Sequence, residues 1–494
     1  MKLTRRLLLG ALLGSAAGHA LAKAPVSSLR PLPRGTVPPP PPIPAAPSVE
    51  SLVDSAKLTG KIAYVVADAK TGKILETRHG DDVLPPASVT KAITALYALE
   101  KLGAGYRYQT RLVANGTVSN GRLKGDLILV GGGDPTLNTD NLGDMAGQLK
   151  AAGVREITGK FLVYGDALPT FTSIDPNQPP HVSYNPAVSG INLNFNRVHF
   201  EWKRQSGSYS LQLDARAKRY NPRVAIAQMR VADRSLPVYT YRDGGSSDQW
   251  TVARGALGSA GSRWLPVRKP ELYAAEVFQT LARSHGVKIP LATIAKAKPK
   301  GTTLVEHRSA AMIEILRDML KYSTNLTAEV VGLTASAGKP KSLKASANKM
   351  TTWARRSLGM SKAKFVDHSG LGGESRMNAA DMVAALAKVR RKTELPGIMK
   401  AISMRNSKGE VLKNHPVKIR AKTGTLNFAS ALAGYMTARD GRELVFAIFS
   451  ADVPRRATIK ASDGDLPDGA AGWRKRARRL QLQLIDRWGA AYVS

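Results

Sequence analysis

The sequence has 494 residues, so two or more domains are expected, because a single hydrophobic core rarely extends beyond roughly 250–300 residues. Hydrophobic residues make up 43% and charged residues 22%, which excludes an intrinsically disordered chain. The absence of cysteine excludes disulfides, thiolate metal sites and a cysteine nucleophile. A net charge of +36 is typical of nucleic-acid-binding proteins, but the N-terminus argues against that class.

Residues 1–22 have the pattern of an export signal. Three basic residues lie among the first six, an apolar run extends from Leu7 to about Ala17, and Ala20-Leu21-Ala22 is a small-x-small cleavage site. The apolar run is shorter than the roughly 20 residues that cross a membrane. We therefore expect a periplasmic protein whose mature chain carries +33. The Arg5-Arg6 pair alone does not decide between the general and the twin-arginine export route.

Three further segments follow the signal in chain order. Residues 23–48 are proline-rich and are predicted to form an extended spacer. A hairpin is predicted from the strand-like segments Lys61–Val66 and Ile74–Arg78. A helix is predicted over Ala87–Lys101, directly after the helix-breaking pair Pro85-Pro86.

From about residue 105 to residue 304 the pattern changes. Short strand-like runs alternate with turns such as Asn120-Gly121 and Asp243-Gly244. One helix is predicted to begin at Pro270, since proline is favoured in the first turn of a helix. We interpret this segment as one or more β-rich domains inserted into the rest of the chain.

Helical patterns return over about Ala310–Ser336 and again over about Gly472–Trp488. The last helix has one apolar face, and its basic residues fall mostly on the other faces. Two interpretations follow from this pattern. The helix either packs on the body of the protein with a solvated basic face, or lies on an anionic membrane surface.

Three short motifs carry candidate chemistry, and each of them occurs more than once. Ser-x-x-Lys begins at Ser88 and, among other positions, at Ser346 and Ser361. Ser-x-Asn begins at Ser183, Ser323 and Ser346, and Lys-Thr-Gly begins at Lys70 and Lys422. Context separates the copies. Those at Ser346 and Ser361 lie in lysine-rich stretches that we interpret as solvated surface, and the one at Lys70 lies in the predicted hairpin turn.

Ser88 and Lys91 are the predicted nucleophile and general base. They stand three residues apart at the start of an apolar helix, so their side chains share one face of it. A helix N-terminus disfavours a nearby cation, and burial does the same. Both effects lower the pKa of a lysine toward the range in which it acts as a base.

The second and third motifs supply the remaining groups. Ser323 is the predicted proton relay to the leaving group, and Asn325 is predicted to hold a substrate carbonyl or to orient Lys91. Lys422-Thr423-Gly424-Thr425 lies on a predicted strand, where the lysine and the hydroxyls can bind a carboxylate while the glycine lets a ligand approach the backbone. The three motifs occur in this order on a helix start, a loop and a strand.

With these motifs in this order, the chain resembles the low-molecular-mass penicillin-binding proteins of the D-alanyl-D-alanine carboxypeptidase/endopeptidase family with a large insert. Ser88 and Ser323 stand 235 positions apart, which leaves room for that insert, whereas Ser323 and Lys422 stand only 99 apart. Further stretches are similar to the family: Leu123–Leu137, Asn192–Asn196, Tyr322–Glu329 and Asp367–Leu371.

The sequence departs from the family pattern at two positions. His368 stands where the family usually has glycine, and we interpret it as a partly exposed loop histidine rather than a catalytic base. Thr324 stands where aspartate or asparagine is common, at a position that varies within the family. Neither departure affects the predicted nucleophile.

The resemblance implies an α/β (α+β) fold. Residues 49–104 and 305–494 would form a discontinuous serine β-lactamase/transpeptidase-like domain, an antiparallel sheet flanked by helices, with the β-rich residues 105–304 inserted. It implies that Ser88 attacks the D-Ala–D-Ala peptide of peptidoglycan, with Lys91 as base and Ser323 as relay. Lys422 with Thr423 or Thr425 would hold the terminal carboxylate. Cross-link cleavage and acylation by β-lactams are also implied, and no metal or cofactor is needed.

Two other functions stay open on the sequence alone. A serine β-lactamase would share the motifs but needs efficient deacylation, and no Glu-x-x-x-Asn segment of the expected kind follows Ser323. A non-catalytic cell-wall binding protein could retain the fold with a closed site. Nucleic-acid binding rests on charge alone, because no aromatic-basic patch or known module is present.

Overall fold

Strands from both ends of the chain build one six-stranded antiparallel sheet. The computed structural model describes residues 47–460 and 465–493, and the predicted signal and the spacer up to residue 46 lie outside this range. The first elements are α1 (Val49–Ser55), β1 (Lys61–Asp68), β2 (Ile74–Arg78) and α2 (Thr90–Leu102). A 3₁₀ turn over Ala87–Val89 leads directly into α2, so the predicted helix begins with a tighter turn.

The middle of the chain contains twelve strands and two helices: β3 (Gln109–Ser119), β4 (Arg122–Val130), α3 (Thr139–Ala151), β5 (Glu156–Ile157), β6 (Phe161–Tyr164), β7 (Arg197–Gln205), β8 (Ser208–Asp214), β9 (Ala227–Ala232), β10 (Tyr239–Asp243), β11 (Asp248–Ala253), β12 (Ala260–Pro266), α4 (Pro270–Ser284), β13 (Ala292–Ile294) and β14 (Thr302–Arg308). These strands pair only with one another, in the orders β13-β6-β4-β3-β14 with β5 on β4, β10-β11-β9 and β12-β7-β8. The pairing extends to Arg308, slightly beyond the predicted end of the insert at residue 304.

The last part of the chain returns to the central sheet: α5 (Met312–Tyr322), α6 (Asn325–Ser336), α7 (Leu343–Trp353), α8 (Ala379–Val389), α9 (Leu395–Ile398), β15 (Lys400–Ile402), β16 (Lys418–Leu426), β17 (Ala429–Thr437), β18 (Glu443–Ala451), α10 (Val453–Ala457) and α11 (Ala470–Ala491). The strand order is β15-β16-β17-β18-β1-β2. The pairing of β18 with β1 joins the end of the chain to its beginning. This architecture of helices and antiparallel sheets confirms the predicted fold class.

Helices cover both faces of the central sheet, which explains why its inner strands are apolar almost throughout. In β1, Ala63 and Val65 belong to the core shared with α2, α5, α6, α7 and α8, while Ile62 and Tyr64 belong to the core shared with α1 and α11. Successive side chains of a strand point to opposite faces. A strand between two helical layers therefore needs apolar residues at every position.

The helical pattern predicted over Ala310–Ser336 corresponds to two helices, and the loop predicted for the second motif separates them. Helix α5 ends at Tyr322 and α6 begins at Asn325. Between them, Ser323 adopts a left-handed backbone with φ 61°. That conformation cannot continue a right-handed helix. The break places Ser323 and Asn325 on opposite sides of one tight turn.

Helix α11 is longer than predicted and packs on the central sheet. Its apolar residues are buried in the body of the protein: Trp473, Ala477, Leu480, Leu484 and Trp488. Four of its basic side chains, those of Lys475, Arg476, Arg478 and Arg479, are exposed, in agreement with the first of the two interpretations of this helix. Among the described residues, no helix combines the length and apolar character that a membrane span requires.

We expect the substitution Trp488→Ala to lower the free energy of unfolding by about 3–5 kcal/mol, because it removes a fully buried aromatic side chain from the core under the sheet. The indole contacts the rings of Tyr64 and Phe446, and its N–H donates to Glu76 Oε1 at 2.9 Å. Denaturant unfolding followed by circular dichroism measures the change. Leu291→Ala, at a side chain that is 79% exposed, is the control and should change stability by less than about 0.5 kcal/mol. An equal effect of both substitutions would contradict the packing of α11.

Candidate active site

Ser88 lies in the tight turn that precedes α2, and two close backbone approaches hold this turn. Ala87 has φ 47°, a left-handed conformation that costs about 1–3 kcal/mol for a residue other than glycine. Gly424 on β16 and Gly370 both lie against the backbone of this turn. A Cβ on Gly424 would lie 2.6 Å from the carbonyl oxygen of Pro86, and a Cβ on Gly370 would lie 1.9 Å from the carbonyl oxygen of Ala87. The strained turn therefore packs between β16 on one side and the loop that contains Gly370 on the other. The sequence assigns Gly424 to ligand approach, and in the structure this glycine also lies against the turn that carries Ser88.

Lys91 is completely buried, and its amine makes three hydrogen bonds. Lys91 Nζ donates to Ser88 Oγ at 2.9 Å, to Asn325 Oδ1 at 2.7 Å and to the carbonyl oxygen of Ser369 at 2.7 Å. These partners come from the turn before α2, from α6 and from the loop after α7. Of the two predicted roles for Asn325, the structure therefore places this residue on Lys91.

A second pair of hydroxyl and amine lies beside the first. Lys422 Nζ, which is buried, donates to Ser323 Oγ at 2.9 Å and to the carbonyl oxygen of Thr423 at 2.7 Å. Ser323 reaches this position because of the left-handed turn between α5 and α6. The structure thus brings the three predicted motifs together at one site.

The two threonines of the third motif differ in their surroundings. Thr425 lines the cleft above Ser88, and its Oγ1 accepts a hydrogen bond from Arg478 Nη2 at 3.2 Å. The side chain of Thr423 is exposed and is not among the residues that line this cleft. Only one of the two predicted hydroxyls therefore faces the space above Ser88.

A cleft of about 450 Å³ opens above these groups. Ser88, Ser323, Asn325 and Thr425 lie in its wall, and residues from the middle of the chain contribute the opposite side: Asp175, Asn177, Gln178, Pro179 and Tyr184. Asn325 Nδ2 donates to the carbonyl oxygen of Tyr184 at 2.9 Å, so the inserted segment contacts a motif residue directly. The cleft therefore has one wall from each part of the chain.

Burial changes the protonation of both lysines. It lowers the pKa of Lys91 to about 8, against the opposing charges of Asp367 and Glu329. Burial, together with the charge of Lys91, holds the pKa of Lys422 well below its usual range. A lysine with a pKa near 8 exists partly as the neutral amine close to neutral pH, which is the form that removes a proton. The geometry therefore suits activation of Ser88 by Lys91.

Our interpretation of His368 as a partly exposed loop residue was wrong. The side chain is fully buried, with Nε2 2.8 Å from Ser346 Oγ and Nδ1 3.4 Å from Met350 Sδ. Burial lowers its pKa to about 3, so the ring is neutral. The interpretation of Ser346 as solvated surface was wrong for the same reason, because α7 packs this serine against the histidine. Ser361, by contrast, is exposed as predicted.

Sequence reasoning did not identify Ser369, whose carbonyl oxygen is the third partner of Lys91. A backbone acceptor leaves no signature in a sequence. The available signal was the similarity of Asp367–Leu371 to a known family, to which no role was assigned. Sequence reasoning also assigned no role to Glu329, a completely buried carboxylate on α6.

Comparisons with known proteins identify a family and relatives of this chain. A model of the D-Ala-D-Ala carboxypeptidase 3 (S13) family matches residues 45–464. A D-alanyl-D-alanine carboxypeptidase from Actinomadura sp. (strain R39) is 28% identical over 463 residues, which cover 81% of this chain and 79% of the relative. The D-alanyl-D-alanine carboxypeptidase DacB of Haemophilus influenzae is 23% identical over 427 residues, which cover 81% of this chain and 88% of that protein.

Solved structures have the same fold. Penicillin-binding protein 4 (dacB) from Haemophilus influenzae superimposes with a TM-score of 0.68 at 19% identity, covering 89% of this chain and 99% of the other. The same protein has been solved in complex with a β-lactam, and that structure gives a TM-score of 0.67. The similarity extends across both the sheet built from the chain ends and the inserted segment.

We expect Lys91 to lose its proton near pH 8, well below the 10.5 of an unperturbed lysine, because burial disfavours the ammonium form. Lys91 should be a cation below this pH and a neutral amine above it. NMR of protein labelled with ¹⁵N and ¹³C in lysine measures the titration, and the substitution Lys91→Met assigns the resonance. A titration midpoint near 10.5 would contradict the desolvated position of this amine.

Proposed function

We propose that this chain, which belongs to the S13 family of D-Ala-D-Ala carboxypeptidases, is a periplasmic hydrolase that removes the terminal D-alanine of peptidoglycan stem peptides through an acyl-enzyme on Ser88. One observation carries this proposal: the buried Lys91 amine lies 2.9 Å from Ser88 Oγ at the floor of an open cleft. A serine hydroxyl is a weak nucleophile unless an adjacent base accepts its proton.

Acylation begins when neutral Lys91 accepts the Ser88 proton while Ser88 Oγ attacks the carbonyl carbon of the D-Ala–D-Ala bond. The tetrahedral intermediate then collapses, and the C–N bond breaks. The leaving D-alanine nitrogen takes the proton that Lys91 accepted, relayed through Ser323 Oγ, which lies 2.9 Å from Lys422 Nζ. Water then attacks the ester carbonyl while neutral Lys91 accepts its proton, and Lys91 passes that proton to Ser88 Oγ as the ester bond breaks. The shortened peptide leaves as a carboxylic acid that ionises in solution.

The terminal carboxylate of the substrate is assigned to the third motif. Lys422 contributes an N–H donor under the cleft, and Thr425 contributes a hydroxyl in its wall. Arg478, which already contacts Thr425, adds a cation at this point. Thr423, the other predicted ligand, does not line this cleft, so the hydroxyl assigned to the carboxylate is that of Thr425.

β-Lactams are proposed as covalent inhibitors that acylate Ser88. The Haemophilus influenzae relative with the same fold has been solved in complex with a β-lactam, which supports this extension. Deacylation should be slow if the protein is a peptidase. Rapid turnover of penicillin would instead favour the β-lactamase alternative, and an absence of acylation would favour a non-catalytic binding protein.

We further propose that the exposed basic face of α11 holds the enzyme near anionic surfaces outside the cytoplasm, either stem-peptide carboxylates or anionic lipid headgroups. Four of its cations are exposed: Lys475, Arg476, Arg478 and Arg479. No ion pair forms at these four side chains within residues 47–460 and 465–493. Attraction of this kind weakens as salt concentration rises, because ions screen exposed charges.

The substitution Ser88→Ala should abolish covalent labelling by a fluorescent penicillin, because it removes the attacking oxygen. Labelling is read after denaturing gel electrophoresis. Ser361→Ala is the matched control, since Ser361 begins another Ser-x-x-Lys sequence but is exposed, and this variant should label like the wild-type protein. Equal labelling of Ser88→Ala and wild type would rule out the assigned nucleophile.

Digestion of purified peptidoglycan should convert pentapeptides to tetrapeptides, with the Ser88→Ala protein as the inactive control. Separation of the muropeptides by chromatography measures both products and substrates. Loss of cross-linked dimers in the same digest would establish endopeptidase activity as well. Unchanged pentapeptides with an intact acylation reaction would contradict the proposed carboxypeptidase function.

A further inference from the structure

Glu329 is a buried carboxylate that does not contact Lys91, but it holds the loop that supplies one of the hydrogen-bond partners of Lys91. Glu329 is completely buried on α6, one helical turn after Asn325. Its Oε1 accepts the backbone N–H of Ser369 at 2.8 Å, and both of its oxygens accept the N–H of His368, at 3.2 and 3.1 Å. The peptide groups that Glu329 holds are those that lead to the Ser369 carbonyl.

The same loop is held from its other side. Thr94 Oγ1, on the helix that carries Lys91, donates to the carbonyl oxygen of His368 at 2.6 Å. Asp367 accepts the N–H groups of Gly370 and Gly372 at 2.6 and 2.5 Å. The loop is thus fixed by side chains from two helices and by its own aspartate, and its only contact with the Lys91 amine is the Ser369 carbonyl oxygen.

The position of this carbonyl matters because of the geometry of a neutral amine. Neutral lysine has two N–H donors and one lone pair. When Asn325 Oδ1 and the Ser369 carbonyl accept the two N–H groups, the lone pair has only one direction left, toward the hydroxyl of Ser88. Displacing either acceptor would let the amine rotate and would misalign the base.

We propose that Glu329 is a positioning residue, which aims the lone pair of Lys91 at Ser88 by fixing the Ser369 carbonyl. Helix α6 then supplies both acceptors of the amine, Asn325 directly and Ser369 through the loop that Glu329 holds. The inference rests on the proposed role of Lys91 as general base. It assigns a function to a carboxylate that touches neither substrate nor nucleophile.

Glu329 also contributes charge near the base. The carboxylate favours the ammonium form of Lys91, so its removal should let Lys91 lose its proton at lower pH. Burial raises the pKa of Glu329 itself, and so does the charge of Asp367. The other titratable groups that face this pair come from the loop, from β16 and from the inserted segment: Asp367, His368, Lys422 and Asp175.

The test is the pH dependence of acylation by a labelled penicillin in the variant Glu329→Gln. Glutamine keeps the size of the side chain but replaces one acceptor oxygen with a donor and removes the charge. We expect the acylation rate constant to fall by about 10²-fold, as expected for a base displaced by about 1 Å. The acid limb of the profile should also move to lower pH, because glutamine cannot carry the negative charge that favours the ammonium form of Lys91.

Two further variants separate positioning from stability. Glu276→Gln is the matched control, because Glu276 on α4 also accepts two backbone N–H groups, from Ala225 and Ile226 at 2.5 and 2.8 Å. It should lower the melting temperature without changing the acylation profile. Thr94→Val removes a hydrogen bond to the same loop without removing a charge. It should therefore slow acylation while leaving the acid limb of the pH profile in place. This variant replaces Glu329→Gln if Glu329→Gln does not fold.

The inference is overturned if folded Glu329→Gln acylates with the rate and the pH profile of the wild-type protein. It is also overturned if this variant only lowers the melting temperature, as the Glu276→Gln control does. Failure of the proposed function is distinguishable, because it would show in the wild-type protein itself, as an absence of acylation at any pH or as pentapeptides left unchanged by a protein that does acylate.

Discussion

The site depends on the burial of one lysine amine among three oxygen acceptors. Lys91 lies in the core, and no carboxylate contacts its Nζ within the described part of the chain. Moving a cation out of water is costly unless hydrogen bonds or charges replace the lost hydration. Here three neutral acceptors supply the hydrogen bonds, while the carboxylates of Glu329 and Asp367 lie farther away. The amine is therefore held in position without being locked as an ammonium ion.

This arrangement explains why the site is assembled from so many elements. The turn with Ser88 comes from the beginning of the chain, Asn325 from a helix that follows the insert, and the Ser369 carbonyl from a loop beyond that helix. The central sheet brings these parts together, because β18 from the end of the chain pairs with β1 from its beginning. Local interactions in sequence could not hold three such distant acceptors on one amine.

The inserted segment contributes residues to the site. Its Tyr184 carbonyl accepts a hydrogen bond from the amide of Asn325, whose oxygen binds Lys91. The amide therefore links the inserted wall of the cleft to the general base. The Asn325 amide has both an acceptor and a donor, so its hydrogen bonds to Lys91 and to the Tyr184 carbonyl together fix its orientation.

The sequence alone determined the elements that depend on local pattern. The hairpin around Asn120-Gly121, the helix that begins at Pro270 and the order of the three motifs are all set by residues close together in the chain. Motif order and context together predicted Ser88, Lys91, Ser323 and Lys422 among several copies of each motif, and the structure brings these four residues to one site. The spacing of these motifs also predicted that a large segment lies between the first and the second.

Only the tertiary structure decided what surrounds those residues. The shape of the predicted loop between α5 and α6 depends on the left-handed backbone of Ser323, a conformation that its residue type does not encode. The burial of Ser346 and His368 depends on how α7 packs on the loop after it, and their polar character predicted the opposite. The Ser369 carbonyl is a backbone group, and because every residue has one, the sequence does not mark it. Its role arises from its position beside Lys91, which is fixed by contacts between segments far apart in the chain.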